Sequence, residues 1–260
     1  MAANRRVDIW NAVERTRASY YKSSIRRTRK GLQEQLKPIM EFLPDRVDEL
    51  TSSVVEALIE KDPFKEMLTD IYYTVGRRFA KGVFGTLTKA EFTDDLFMRK
   101  VIDEVETYGL IMVNDMTDTT KKQINHIISS AFEEGQSIQT TAATIQASIN
   151  HMTNVRSTMI ARTETIRASN QGAMFGADMT GLDLDKEWIS TLDSRTRTFE
   201  DSDYDHLSMD GQRVDQKAEF GTVSPQDRYL NNDFLRFPAD AIGQPGNTIN
   251  CRCTLAFIPK

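Results

Sequence analysis

Cysteine is scarce in this sequence, and both copies lie near its end. The 260 residues contain only Cys251 and Cys253. A disulfide between positions two apart would close a very small ring with poor geometry, so we do not expect these thiols to pair with each other. Two alternatives remain: a shared Zn²⁺ ion, or two partly buried thiols that pack a C-terminal turn.

Long apolar runs are also missing. The longest uninterrupted run, Leu110 to Val113, is far shorter than the roughly 20 residues that a membrane-spanning helix needs. The first residues, MAANRRVDIW, are basic, but no apolar segment follows them, so we expect no secretory signal. With 39% hydrophobic and 27% charged residues, the composition is that of a folded globular protein with no membrane partner.

The sequence lacks the short motifs that mark common enzyme sites. It has no Gly-rich phosphate-binding loop, no nucleophile elbow and no HExxH metal motif. A catalytic pair of His206 with Cys251 or Cys253 is conceivable from residue type alone, but no spacing supports it. We therefore predict a protein that is not an enzyme, with a transferase or nuclease as the enzymatic alternative.

Positive charge is concentrated at the N-terminus of an otherwise acidic chain. Residues 1–30 hold nine Lys or Arg against two acidic residues, a net charge of +7, whereas the other 230 residues carry −12. A basic segment on an acidic body indicates contact with DNA or with an acidic protein surface, and both partners stay open at this point. The candidate binding residues are Arg5, Arg6, Arg15, Arg17, Lys22, Arg26, Arg27, Arg29 and Lys30.

Helical periodicity dominates the first two thirds of the chain. Residues 1–30 predict a basic amphipathic helix, and the pattern stays helical to about Gly135. We expect a helix start at Asp62-Pro63. Two further helices are predicted, over 136–150 and over about 154–177, the second ended by Gly181. Breaks are expected at Pro38, Pro44, Pro63, Gly76, Gly82 and Gly85.

The composition changes after Gly181. Trp188-Ile189 predicts a short strand and 254–258 a closing strand, with an acidic loop and a stretch rich in Gly, Pro and Asn (221–250) between them. The predicted fold class is α+β: a mainly helical N-terminal region followed by a small, loop-rich α+β C-terminal module. The predicted parts are a basic helix or arm over 1–30, a helical region over 31–135, and a module over 136–260 with helices to about 180 and a small α+β part over 181–260.

Several short motifs follow one another in a fixed order. They are IARTETIRASNQG at 160–172, KEWISTLDSRTR at 186–197, His206, MDGQRV at 209–214 and INCRC at 249–253. This series resembles the phage head morphogenesis family named after the Mu F protein, the minor head proteins of tailed bacteriophages, over roughly residues 110–258. The family motif carries over onto Arg162, Thr163, Glu164, Trp188, Asp193, Arg195, His206, Asp210, Gly211, Asn250, Cys251, Arg252 and Cys253.

The resemblance implies a structural minor capsid protein of low copy number. Such a protein is made in the bacterial host cytoplasm and located in the virion, inside the capsid near the portal vertex. Its implied partners are the portal protein, scaffold or capsid protein, and double-stranded DNA. Its implied roles are head morphogenesis, DNA packaging and DNA ejection. The alternative is a DNA-binding module without a direct portal role.

A zinc site would need more than two thiolates, because a closed structural site has four ligands. His206 is the best third candidate beside Cys251 and Cys253, and Asp193 or an aspartate of 201–205 is the candidate fourth. Many members of the resembled family have a further Cys pair between the D-x-R and DGQ motifs, where this chain has only His206. A structural Zn²⁺ is therefore the one cofactor that this set suggests.

The remaining motif residues are expected to shape the module. Glu164 either pairs with Arg167 on a helix surface or lies beside the buried stripe and finds a partner elsewhere in the fold. We expect Trp188 to be the apolar anchor and Gly211 to permit a turn. Asp193 and Arg195 are expected to make buried or bridging polar contacts, and NCRC would close the module onto Trp188 and His206.

Overall fold

The computed structural model describes residues 2–46, 49–222 and 233–260. Helices fill most of the chain up to Asp178, and short strands and loops follow. The helices are α1 (Ala2–Arg46), α2 (Ser52–Leu58), α3 (Asp62–Ile71), α4 (Arg77–Leu87), α5 (Asp94–Glu133), α6 (Ile138–Asp178) and the short α7 (Pro245–Thr248). A π-helical segment, Tyr72–Gly76, joins α3 to α4. Across this described part, none of the helices combines the length and apolar character needed to cross a membrane.

The strands form two small antiparallel sheets. They are β1 (Leu184–Ile189), β2 (Arg213–Asp215), β3 (Phe220–Thr222), β4 (Asp233–Leu235) and β5 (Thr254–Pro259). One sheet has the order β2-β1-β5, with Trp188 opposite Leu255, and the other pairs β3 with β4. The α+β prediction and both predicted strands are therefore confirmed. Of the irregular stretch predicted over 221–250, residues 223–232 lie outside the described part.

Helix α1 continues through two of the predicted breaks. The prediction that Pro38 and Pro44 interrupt the helix is wrong, because α1 runs on to Arg46. A proline inside a helix costs about 3 kcal/mol. Here burial of Ile39 and Leu43, which lie between the two prolines and face the core, offsets that cost. The predicted start at Asp62 is confirmed.

The turn between α5 and α6 follows the sequence closely. Gly135 takes the left-handed conformation with φ of 63°, which glycine adopts without steric cost, and α5 ends just before it. The Gln136 amide then donates to the Ala131 carbonyl (2.9 Å). Ser137 starts the next helix, because its hydroxyl accepts a hydrogen bond from the Thr140 amide (3.1 Å).

Helix α6 is a single helix of 41 residues, so the prediction of two helices over this range is wrong. Residues 150–154 contain no proline or glycine that would stop it. Hydroxyl side chains at this point bond the helix's own carbonyls instead of competing with the helix. Thr153 donates to the Ile149 carbonyl (2.8 Å), and Ser157 donates to the Asn154 carbonyl (3.0 Å).

The chain forms two compact units. The first unit combines residues 1–22, 70–103 and 162–260, and the second combines residues 23–69 and 104–161. The parts predicted from the sequence follow one another along the chain, whereas each unit draws on separate segments.

The second unit has an aliphatic core. Most of its members come from α1, α2, α5 and α6 at the three- and four-residue spacings of amphipathic helices, and Leu50 and Ile59 lie just outside α2. The members are Leu36, Ile39, Leu43, Leu50, Val55, Ile59, Ile124, Ile145, Ile149 and Met152.

In the first unit, α6 crosses the π-helical segment at a glycine pair. A Cβ on Gly172 would lie 2.2 Å from the Gly76 carbonyl oxygen and 2.5 Å from its Cα. One turn further along, a Cβ on Gly176 would lie 2.3 Å from the Ala80 carbonyl oxygen. Only glycine fits at either position of α6, because the obstructing atoms belong to the backbone and cannot rotate away.

Candidate functional site

Trp188 lies at the centre of the apolar cluster of the C-terminal module. Strand β1 carries it, and its side chain is fully buried. Its ring packs edge-on against the rings of His206 (centroids 5.5 Å apart) and Phe220 (5.3 Å). Its indole N–H donates to the Ser190 hydroxyl (3.2 Å). The same cluster contains Cys251 and Cys253, so the end of the chain does close onto Trp188.

Two further motif residues, Gly211 and Asn250, lie in the turns that precede β2 and β5, the strands that flank β1 in the sheet. Gly211 has φ of 82°, and its amide donates to the Trp188 carbonyl (2.9 Å). The Asp210 carboxylate accepts a hydrogen bond from the Ser190 amide (3.0 Å). Asn250 also has a positive φ, 58°, which asparagine tolerates better than most residues. The Asn250 amide donates to the Thr163 hydroxyl of α6 (3.2 Å).

His206, Cys251 and Cys253 form a buried group. The histidine Nδ1 lies 3.6 Å from the Cys251 sulfur and 3.5 Å from the Cys253 sulfur. The opposite ring nitrogen, Nε2, lies 2.7 Å from the Asn247 carbonyl oxygen Oδ1. The Asn247 amide nitrogen donates to Asp233 (3.0 Å), which fixes the side chain with Oδ1 towards the ring. We infer that Nε2 carries the proton and that the Nδ1 lone pair faces both sulfurs.

The two thiols differ in acidity. Burial raises the pKa of Cys253 well above its usual range, and the neighbouring Cys251 raises it further. Burial also opposes ionisation of Cys251, but a hydrogen bond from the Cys253 thiol holds the pKa of Cys251 well below its usual range. The pair can therefore give up one proton readily and the second only with help from a cation.

The donor set fits a zinc ion on geometry. Tetrahedral zinc with Zn–S near 2.3 Å and Zn–N near 2.0–2.1 Å separates sulfur and nitrogen ligands by about 3.6 Å. The two observed sulfur–nitrogen distances are 3.5 and 3.6 Å, and all three ligand atoms lie within 4.8 Å of one another. The hydrogen bond at Nε2 is the outer-shell contact that metal-bound histidines make.

Asp193 is not the fourth ligand that the sequence suggested. Its carboxylate accepts hydrogen bonds from both terminal nitrogens of Arg252, with Nη1 2.7 Å from Oδ2. That hydrogen bond, aided by the Arg195 amide (3.0 Å), holds the pKa of Asp193 well below its usual range. Among the described residues, the candidate metal ligands at this site are three: His206, Cys251 and Cys253. The Arg195 side chain is largely exposed, with its guanidinium 3.7 Å from Asp193.

Glu164 has the partner of its first predicted alternative and the buried position of its second. It pairs with Arg167 (2.5 Å), but the pair is buried rather than on the surface. Glu164 also accepts a hydrogen bond from the Tyr72 hydroxyl (3.1 Å). Arg167 Nε donates to the Ala239 carbonyl (2.6 Å). Burial would lower the pKa of Arg167, but the Glu164 carboxylate and Tyr72 outweigh it and raise that pKa.

A cavity of about 310 Å³ lies beside this group in the first unit. Motif residues separated by up to 91 positions in the sequence meet in its wall. The lining residues are Arg162, Thr191, Arg195, Thr196, Arg197, His206, Asn250, Arg252 and Cys253.

Part of the basic N-terminal segment is used inside the first unit. Arg17 was predicted to bind DNA or portal, but it is fully buried and cannot reach either. Its guanidinium donates to Ser169 (2.7 Å), to Asn170 (2.8 Å) and to the carbonyls of Arg252 (3.0 Å) and Cys253 (3.2 Å). Its role is to join α1 to α6 and to the closing strand.

Arg5 and Arg6 also have partners within the first unit. Arg6 donates to Asp210 (2.8 Å), and both arginines lie close to Glu187, at 3.3 Å for Arg5 and 3.6 Å for Arg6. Trp10 adds a hydrogen bond from its indole to the Arg252 carbonyl (3.1 Å). The first turns of α1 are thus docked on the C-terminal module and do not form the predicted separate arm.

Five other basic residues of the predicted set remain accessible. Arg15 and Lys22 in the first unit, and Arg26, Arg29 and Lys30 in the second, are exposed. None of these five forms a hydrogen bond or an ion pair within the described part of the chain. Arg27, the ninth member of the predicted set, is half-buried and has an interaction.

Sequence reasoning missed several residues that build the site. Arg197 donates to the Asn247 carbonyl (3.2 Å) and to the Ile249 carbonyl. Asn170 donates to the Pro238 carbonyl (2.8 Å) and to the Cys253 carbonyl (3.1 Å). The available signal was position: Asn170 lies on the same α6 stripe as Ile166, where a polar residue requires a buried partner.

The motif residues that these contacts bring together belong to the C-terminal half of the chain, which matches a known protein family. A family model described as "Phage Mu protein F like protein" matches residues 122–256, just over half of the chain. The chain belongs to this family, which confirms the resemblance read from the motif series. Membership indicates a head morphogenesis protein of a bacteriophage, with a location in the virion. No curated protein and no solved structure matches the chain.

Proposed function

We propose that this chain is a structural minor head protein, present in low copy inside the capsid, that associates with the portal and with packaged DNA. Family membership supports the head role. The proposed contact with a polyanion or an acidic surface rests on one observation. Three basic residues of α1 are exposed: Arg26, Arg29 and Lys30.

Helical spacing favours a shared contact by this group. Arg29 and Lys30 follow Arg26 by three and four residues, so all three side chains lie on one face of α1. Arg15 and Lys22, seven residues apart, share a face in the first unit in the same way. Because these residues have no internal partners in the described part of the chain, their charge is available to an outside partner.

A structural rather than enzymatic role agrees with how the motif residues are used. Trp188 and Glu164 are buried and engaged in packing or hydrogen bonds inside the first unit. Asp193 is held in a fork by Arg252. These contacts explain the motif through folding, and no reacting group is needed to account for it.

The DNA contact is tested by changing charge without changing fold. The variant Arg26→Gln/Arg29→Gln/Lys30→Gln should bind duplex DNA more weakly. Its slope of log K against log salt should be shallower by about 0.9 for each phosphate that the variant no longer neutralises. The matched control, Lys65→Gln/Lys89→Gln/Lys122→Gln, removes the same charge from exposed positions elsewhere. If the two variants gave equal slopes, these basic residues of α1 would not contact DNA.

Portal association separates this proposal from the DNA-binding alternative. Copurification with portal complexes should fall for the α1 variant in the presence of nuclease, and the control variant should behave as wild type. If the α1 variant loses DNA affinity but keeps portal association, the result would support the alternative of a DNA-binding module without a direct portal role. Deletion of residues 1–30 is a poor test, because it would also remove the buried Arg17.

We also propose that His206, Cys251 and Cys253 supply three of the four ligands of a structural Zn²⁺ that closes the module. A bound zinc would keep the thiols ionised and tie the last strand to the loop that carries His206. Elemental analysis of protein purified in zinc-containing buffer and then dialysed should give one zinc per chain. The variant Cys251→Ser/Cys253→Ser should contain no zinc. The control Ser194→Ala, an exposed change that keeps both cysteines, should leave the zinc content unchanged. Wild-type protein without zinc after this treatment would leave two packed thiols as the correct alternative.

A further inference from the structure

We propose that the arginine-lined cavity of the first unit binds a phosphate-bearing anion. This inference goes beyond the head role and does not depend on α1, although two of the proposed zinc ligands, His206 and Cys253, line the same cavity. Four arginines line about 310 Å³ of space, and no acidic residue is among the described residues that line it. Such a wall is unusual in a chain whose net charge is −5.

The charge of this wall is only partly balanced from within. Asp193 is not among the lining residues, and Arg252 neutralises it in a forked ion pair. Arg197 donates only to neutral backbone carbonyls. Arg162 forms no hydrogen bond or ion pair with the described residues. Arg195 has Asp193 at 3.7 Å, already shared with Arg252. Arg162, Arg195 and Arg197 therefore bring positive charge that an incoming anion would balance.

The donors of the cavity match phosphate chemistry. A guanidinium presents planar N–H pairs that fit phosphate oxygens two at a time, and such charge-assisted bonds are short and strong. The Thr191 and Thr196 hydroxyls in the same wall bond each other and Asp193, so the guanidinium groups are the donors that face a ligand. A single carboxylate would balance one of these positive charges, whereas a diphosphate or successive DNA phosphates balance more. The volume is at the small end of the range for ligand sites, about 300–1,000 Å³.

Titration calorimetry with pyrophosphate in 0.15 M salt, a concentration near physiological ionic strength, tests the site directly. The wild-type chain should show saturable binding. Arg162→Gln/Arg195→Gln should weaken it by about tenfold or more, because hydrogen bonds to charged groups contribute about 1.5–3 kcal/mol. Neither side chain is buried, so the fold should persist, and Arg195→Gln alone serves if the double variant is unstable. The control is Arg78→Gln/Arg99→Gln, which removes the same charge from exposed positions of the same unit.

Competition identifies the source of the phosphate. If a short DNA duplex displaces pyrophosphate, and does so also in the Arg26→Gln/Arg29→Gln/Lys30→Gln background, the ligand is the DNA backbone. If DNA does not compete, the ligand is a free phosphate compound, and the cavity assignment still holds. Absence of saturable pyrophosphate binding to the wild type, or equal binding by the pocket variant and its control, would overturn the assignment. Neither result would alter the α1 experiments, so the two proposals fail separately.

Discussion

The two compact units differ in the kinds of side chain that they bury. The second unit buries mostly aliphatic side chains, and Glu104 is its buried charged residue in the described part of the chain. The first unit buries several charged side chains there: Arg17, Glu164, Arg167, Lys186, Glu187, Asp240 and Arg252. Buried charges are costly unless each is paired, so the first unit depends on a specific set of partners where the second depends on packing.

The difference predicts distinct responses to mutation. An aliphatic core tolerates volume-conserving changes, whereas a network of buried polar groups fails when one partner is removed. Each of the following changes therefore compares a position of the first unit with a control that lacks its special contacts.

Trp188→Ala should have the largest effect. Removal of this fully buried ring should lower the free energy of unfolding of the first unit by about 3–5 kcal/mol, because the cavity it leaves lies among His206 and Phe220. Hydrogen exchange should show weaker amide protection in β1 and β5. Leu36→Ala is the control in the aliphatic core, where protection should fall in α1 instead. Unchanged protection of β1 and β5 in Trp188→Ala would refute its role as anchor.

Gly172→Ala should be nearly as damaging. The added Cβ would lie 2.2 Å from a backbone oxygen of the π-helical segment, so α6 must shift, at a cost of about 3 kcal/mol. Gly82→Ala is the matched control, because a Cβ there meets nothing within 4 Å. That control should be neutral or stabilising by up to about 1 kcal/mol through helix propensity. Similar melting curves for the two variants would contradict the close helix crossing.

Arg17→Met tests the buried charge in α1. It removes donors to Ser169, to Asn170 and to the two carbonyls just before β5, and should cost about 2–3 kcal/mol in chemical denaturation. The control Arg15→Met lies two residues away on the exposed side of the same helix and should change stability by at most about 0.5 kcal/mol. If both variants cost the same, α1 is not tied to the closing strand through Arg17.

Lys186 makes the stability of the first unit depend on pH. Burial lowers the pKa of Lys186 to about 8, while its amine donates to the Arg236 carbonyl (2.6 Å). Between that value and the unfolded-state pKa of about 10.4, the unfolded chain binds more protons, so stability should rise with pH. From pH 7 to 9.5 the wild type should gain about 2 kcal/mol relative to Lys186→Met. A parallel pH dependence of the two proteins would show that the amine is not buried in this way.

The same contrast explains what the sequence could and could not predict. Spacing predicted the helical stripe of Ile145 and Ile149, and turn chemistry predicted the end of α5 near Gly135, because both depend on neighbours within a few residues. The strand that begins at Thr254 was predicted from β-branched and aromatic residues in the same local way. These are the features that local rules describe.

Features that depend on distant partners were missed. The burial of Arg17 depends on acceptors more than 150 positions away in the sequence, so its charge suggested a surface role instead. The continuation of α1 past Pro38 depends on the core beneath it. The meeting of His206 with Cys251 and Cys253 was proposed from residue type, but the Asn247 contact that orients the ring had no signal in the sequence.

Quantitative mass spectrometry of purified heads tests the account most directly. Particles should contain this chain in a few copies relative to the major capsid protein, and subassemblies enriched for portal should retain it. The Arg26→Gln/Arg29→Gln/Lys30→Gln variant should be depleted from both, while the Lys65→Gln/Lys89→Gln/Lys122→Gln control should be incorporated as the wild type is. Absence of the wild-type chain from purified heads, or its presence in numbers that match the major capsid protein, would contradict a minor head protein at the portal.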